Sequence, residues 1–105
     1  MAGRPGRAAA VAAALRRLAP RVPDFEAAEI VAHARASPGL RHAAPETAAW
    51  LSAVALIRHL HTDYDALLAD GWGVEAARYA TREAIDAVLA EWGTRRRVAA
   101  GDDGG

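Results

Sequence analysis

The stretch "AAWLSAVALIRHL", residues 48–60, constrains this chain most. Wrapped at 3.6 residues per turn, Trp50, Leu51, Val54, Leu56, Ile57 and Leu60 cover nearly every face of a helix. Such a helix is stable in water only when other elements surround it. The segment therefore predicts a central helix in an all-α fold. Nothing else in the chain competes with that reading: no run alternates β-branched and polar residues, and alanine abounds.

The flanking patterns supply the wrapping helices. A first helix is predicted over about Arg7 to Leu18, with Val11, Leu15 and Leu18 on one face, and Pro20 and Pro23 end it. A second starts at Pro23, as its first helical residue, or at Asp24, as its cap, and buries Ala27, Ile30, Val31 and Ala34. Glu26 sits in the first turn, where the helix dipole favours an anion, and Glu29 and His33 are spaced to pair on the wet face. Pro38 and Gly39 stop it. The central helix begins near Pro45 and Glu46. A short helix opens with "TDYDALLADGW", and Gly71 is its left-handed end. The last runs through "VEAARYATREAIDAVLAEW". Val74, Ala77, Thr81, Ala84, Ile85, Val88 and Trp92 form its stripe, Arg82 and Asp86 pair outside, and Gly93 stops it. The expected architecture is a compact bundle of about four to five helices around a central apolar one. The expected divisions are an Ala/Arg-rich, partly helical segment over 1–14, a helical domain over 15–93 and a disordered tail over 94–105.

Composition narrows the functional classes. With 105 residues, one domain is the default. Lys+Arg and Asp+Glu are 13 each, so no overall basic surplus draws the chain to nucleic acid. Every one of the 13 cations is arginine, which beside the alanine excess reads as GC-rich coding bias. The absence of cysteine excludes disulfides, zinc-thiolate sites and cysteine nucleophiles. Arg16 and Arg17 interrupt the N-terminal Ala-rich run, so it reads as an amphipathic helix and not as a leader. No run reaches the length of a membrane span, and the expected setting is the cytoplasm.

"IRHLHTDYDALL", residues 57–68, is the one polar cluster with chemical potential. His59 and His61, two apart, point to different sides of a helix, so they form no metal pair. His59 with Asp63 or Asp65 would make an oriented imidazole for acid–base work, but no serine or cysteine nucleophile motif and no Gly-rich phosphate loop accompanies it. A helix joint explains the same residues. Arg58, His59 and His61 would meet the negative end of the central helix, and Asp63 and Asp65 the positive start of the next, with Arg58 bridging to the carboxylates. Thr62 with Asp65 three residues on resembles a capping box, and replacing either by Ala would cost about 0.5–2 kcal/mol. No catalytic residue, metal ligand or cofactor is assigned.

Arginines at both ends, Arg4, Arg7, Arg16, Arg17 and Arg21 against Arg95 to Arg97, would make a basic patch if the ends converged. Arg16, Arg17, Arg21 and Arg41 are the candidate nucleic-acid contacts. Trp50 and Trp92 read as core, and Trp72 as packing over helix ends, with exposure as a partner anchor the other reading.

"AVALIRHLHTDYDALLADGW" followed by "EAARYATREAIDAVLAEW" resembles the DUF2293 family of small bacterial proteins and domains. The matching positions are Ala53, Val54, Ile57, Arg58, His59, Thr62, Tyr64, Asp65, Leu67, Leu68, Ala77, Arg78, Leu89 and Trp92, and the likeness covers roughly residues 15–92. It implies one compact helical domain with no established activity, cofactor or substrate. Where that family carries a Gly- and Arg-rich loop, this chain has "ASPGLRHAAP" with only Arg41, and Gly73-Val74 replaces an Asp-Arg pair. The candidate cluster is thus Arg58, His59, Thr62, Asp63, Tyr64, Asp65 and Arg78. The expected role is a non-catalytic module for a protein partner. The alternatives are a nucleic-acid-associated protein using terminal arginines, and an enzyme using His59, Asp63, Tyr64 and Asp65.

Overall fold

The computed structural model describes residues 6–99. They form α1 (Arg7–Leu18), α2 (Asp24–Ala36), α3 (Pro45–His61), α4 (Tyr64–Ala69) and α5 (Val74–Glu91), with no strand among the described residues. None of these helices is long and apolar enough to cross a membrane. The all-α bundle expected from the patterning is the fold found, and α3 is its axis, touching each of the other four helices.

Alanine explains how the helices get close. Ala48, Ala49 and Ala53 on α3, Ala14 on α1 and Ala34 on α2 are buried, and side chains that short let backbones approach. Trp50, Leu15, Ile30, Ile57, Ile85 and Leu89, among the largest fully buried side chains, fill the space between. Leu51 and Leu56 are half-buried. Leu60, expected in the core, is 59% exposed, because nothing covers that side of the last turn of α3.

Helix ends follow local chemistry with some changes of partner. Pro23 occupies the N-cap of α2 and Asp24 is its first helical residue. Asp24 does not cap; its carboxylate takes the Arg16 guanidinium at 2.6 Å. Both glycine stops are left-handed, with φ of +94° at Gly71 and +84° at Gly93. Each closes a paired C-terminal motif: Gly71 N–H reaches Leu68 O and Trp72 N–H reaches Leu67 O, while Gly93 N–H reaches Ala90 O and Thr94 N–H reaches Leu89 O. The last pair turns the chain back over the bundle. Gly93 also accepts close approach from the α1–α2 turn, since a Cβ there would lie 3.1 Å from an Arg21 nitrogen.

Several expected placements change. On α5, Val74 is 49% exposed and Ala84 is exposed, while Leu89 is fully buried. The stripe follows the neighbours present, and the first turn of α5 projects beyond the bundle core. Arg82 and Asp86 do not pair: Arg82 lies 4.0 Å over the Tyr79 ring, and Asp86 accepts Val98 N–H at 2.6 Å and Ala99 N–H at 3.0 Å. That carboxylate pins the segment after α5, so residues 94–99 pack, with Thr94 and Val98 buried, instead of opening a disordered tail. The remainder of that expected tail, 100–105, lies outside the described residues. Residue 14 falls inside α1, whose Val11 is fully buried. Residues 1–5, with Arg4, lie outside the described residues. His33 does not pair with Glu29 but shares a 3.0 Å hydrogen bond with the buried Ser52, tying α2 to α3.

Two outcomes are expected. Ile57→Ala should lower the unfolding free energy by about 2–5 kcal/mol in urea melts, whereas Leu60→Ala, on the same helix, should change it by less than about 0.5 kcal/mol. Gly93→Ala should cost more than about 1 kcal/mol, through both its positive φ and the Arg21 contact, while Gly39→Ala, which meets open space, should not.

Candidate functional site

The α3–α4 joint is built by one threonine. Thr62 is extended, at φ −134° and ψ 171°, and so ends α3. Its hydroxyl donates to the Arg58 carbonyl one turn back and accepts the Tyr64 N–H at 3.1 Å. One side chain therefore closes an orphan carbonyl of α3 and an orphan amide of α4. The expected capping box is not what forms. Thr62 reaches the amide of Tyr64, and the Asp65 carboxylate turns away to accept His59 Nδ1 at 2.8 Å. Asp63 stands at the N-cap position, but its side chain makes no capping bond.

Tyr64 is the post on which the joint packs. It is 7% exposed. The His59 ring meets it edge to face, with centroids 5.8 Å apart and planes at 78°, and the Arg58 guanidinium lies 5.6 Å from its centroid. Arg58, His59 and Tyr64 thus belong together as one aromatic–cation stack that fixes the angle between α3 and α4. Arg78, placed in the same cluster by its sequence, is exposed on α5 and makes no hydrogen bond or ion pair to it among the described residues.

His61 takes a role that the sequence did not signal. Its Nε2 pairs with Glu26 Oε2 on α2, and its ring stands edge-on to Trp92 at 6.3 Å and 87°. It therefore clasps the end of α3 to the start of α2 and the end of α5. Glu26 reads in the sequence as a dipole partner and Trp92 as core; only spacing in three dimensions joins them.

Chemically, the joint offers one oriented imidazole, His59, with Asp65 behind it. Both side chains are more than half exposed. The Thr62 hydroxyl is already engaged, and Ser52, fully buried, is bonded to His33. Among the described residues no group of three or more His, Asp or Glu side chains is placed to hold a metal ion.

The candidate nucleic-acid arginines separate. Arg16 holds Val22 O at 2.9 Å and Asp24, and Arg21 donates to Glu91 O at 3.1 Å and Ala90 O at 3.2 Å, placing its cation at the negative end of α5. Arg17 pairs with Glu46 at 3.2 Å on the surface. Arg41 is exposed in the α2–α3 connection. Of the N-terminal arginines, Arg17 alone meets the C-terminal run in one hollow: Arg17, Leu18, Pro20, Gly93, Arg95 and Arg96 line an open space of about 480 Å³. A second, larger concavity of about 590 Å³ runs between α1 and α2, walled by Ala8, Ala12, Leu15, Ala27, Ala28 and Val31, with Arg16, Asp24 and Arg35 also lining it. Trp72, expected to pack over helix ends, is 45% exposed.

Residues 14–93 match the family model described as "Uncharacterized conserved protein (DUF2293)". No curated protein and no solved structure matches the chain.

The joint generates a graded expectation. Thr62→Ala should lower stability by about 0.5–2 kcal/mol, since two orphan backbone groups lose their partner. Asp65→Ala, which removes only an exposed pair with His59, should cost less than about 1 kcal/mol. Equal losses in chemical denaturation would place the cap on Asp65 instead.

Proposed function

The chain belongs to the DUF2293 family, and from that premise we propose that it is a non-catalytic protein-interaction module whose α1–α2 groove receives an amphipathic helix of a partner protein. The observation that carries this reading is the groove itself, about 590 Å³ of open, alanine-walled surface. Ala8, Ala12, Ala27 and Val31 are half-buried and Ala9, Ala28 and Ala32 exposed, so the apolar face continues outward without a covering element. From Asp24 to Arg35 the groove follows α2 for about 16 Å, the length of about three helical turns. Short side chains on both walls suit a third helix, which would lie about 8–10 Å from each axis.

Charge adds a preference. Arg16 and Asp24 neutralise each other at one end of the groove. Arg35, at the other end, has no ion-pair partner among the described residues. A partner helix with a small apolar stripe and an acidic residue beside Arg35 fits both features. The signature residues Arg58, Thr62 and Tyr64, by contrast, are engaged in the α3–α4 joint.

A photo-crosslinking residue at position 28 or 32 in the native host tests the reading, with position 79 as the control. The expected product is one protein, cross-linked through residues three or four apart in a single helical segment. Ala28→Arg and Arg35→Glu should each weaken its binding by about tenfold or more. Cross-linking from position 32 no stronger than from position 79, or spread over unrelated proteins, would overturn the proposal.

A further inference from the structure

We infer that the hollow between the end of α1 and the segment after α5 is a contact site for the phosphate backbone of a nucleic acid. It lies apart from the α1–α2 groove and is independent of what that groove binds. Three guanidinium groups meet there, Arg17 from the first helix and Arg95 and Arg96 from the far end of the chain. Because the chain carries 13 cations and 13 anions, this gathering is not the by-product of a basic protein. Arg16, Arg21 and Arg82 are engaged elsewhere, on Asp24, on the carbonyls ending α5 and on Tyr79, and the exposed Arg35, Arg41 and Arg78 stand singly on other surfaces. Arg95 is exposed and has no ion-pair partner among the described residues.

The hollow is held in shape before any ligand arrives. Gly93 turns the chain with its left-handed φ, and Arg21 N–H bonds Trp92 O at 2.8 Å, fastening the Pro20 wall to the Gly93 wall. Arg96 is stacked 4.1 Å over the ring of Trp50, which is itself 1% exposed, so this cation sits on the core and not on a loose stem. Preorganised, forked guanidinium donors are what phosphate oxygens recognise best. The remaining walls, Leu18, Pro20 and Gly93, offer no side-chain hydrogen-bonding group to read a base edge. The hollow is also open to solvent on one side. Both features favour contacts to a backbone, independent of sequence. Glu46 opposes Arg17, pairing with it at 3.2 Å between two well-exposed side chains, a pair that a phosphate can displace.

The test uses the whole chain and fluorescence anisotropy with labelled single- and double-stranded oligonucleotides. With three phosphate contacts, log Kd should rise with log salt at a slope of about 2–3 between about 50 and 200 mM. Arg95→Glu and Arg17→Glu should each weaken binding by about tenfold and lower that slope by about 1. Glu46→Gln should tighten it. Arg41→Glu, an exposed arginine on the connection beside the start of α1, should leave it nearly unchanged. Circular dichroism and urea melts check that each variant is folded. Absence of salt-sensitive binding at about 50 mM salt would overturn the inference. So would equal losses from Arg41→Glu, or binding of inorganic pyrophosphate without any oligonucleotide binding.

Discussion

Everything in this molecule hangs on the close packing of α3. Ala48, Ala49 and Ala53 are fully buried, and they let α1 and α2 lie directly against its backbone. Short side chains bury little area each, so the contact relies on density more than on bulk. Trp50 and Ile57 supply the bulk at two points along the axis. Once α3 is wrapped in this way, the α1–α2 turn and the segment after α5 have little freedom in where they lie. The segment after α5 crosses Trp50 through Arg96, and the α1–α2 turn docks on the end of α5 through Arg21. The basic hollow is a consequence of that crossing.

Polar residues in this protein serve mostly as fasteners between helix ends. Thr62 closes α3 and opens α4, His61 joins three elements, Arg21 neutralises the end of α5, and Asp86 holds the returning chain. Thr62 and Arg21 satisfy backbone groups that helices leave without partners, while His61 and Asp86 tie together segments far apart in the chain. A bundle of alanine-faced helices has smooth interfaces, and such fasteners fix how far the helices slide and at what angle they meet. This gives a physical account of an α3–α4 joint rich in Arg, His, Thr and Tyr without requiring a reaction. Among the described residues it leaves concave surfaces of opposite character, the apolar α1–α2 groove and the cationic hollow beside Gly93.

Much of the fold was legible from residues alone. Pro20, Pro23 and Pro45, with Gly71 and Gly93, mark helix ends by backbone chemistry that no neighbour alters, and the all-apolar stretch around Trp50 can only be central. The candidate cluster was legible as a joint, because opposite charges gather where one helix ends and another begins. Its wiring was not. His59 could have met Asp63 or Asp65 by spacing alone, and Asp86 lay as close to Arg82 along the helix as any pair does. His59 took Asp65, while Asp86 went to the Val98 and Ala99 amides brought back from beyond α5.

The sequence by itself determined where helices start and stop and which face of each is apolar, since those depend on φ limits, caps and periodicity within a few residues. Tertiary structure decided which polar groups meet: His33 with Ser52, His61 with Glu26 and Trp92, Val98 with Asp86, Arg17 beside Arg95. It also decided that Leu60 and Val74 stay wet while Leu89 is buried. The reason is range. Backbone rules act over a turn or two, whereas an ion pair or an apolar contact is chosen by distance in space, and that distance exists only once α3 is enclosed.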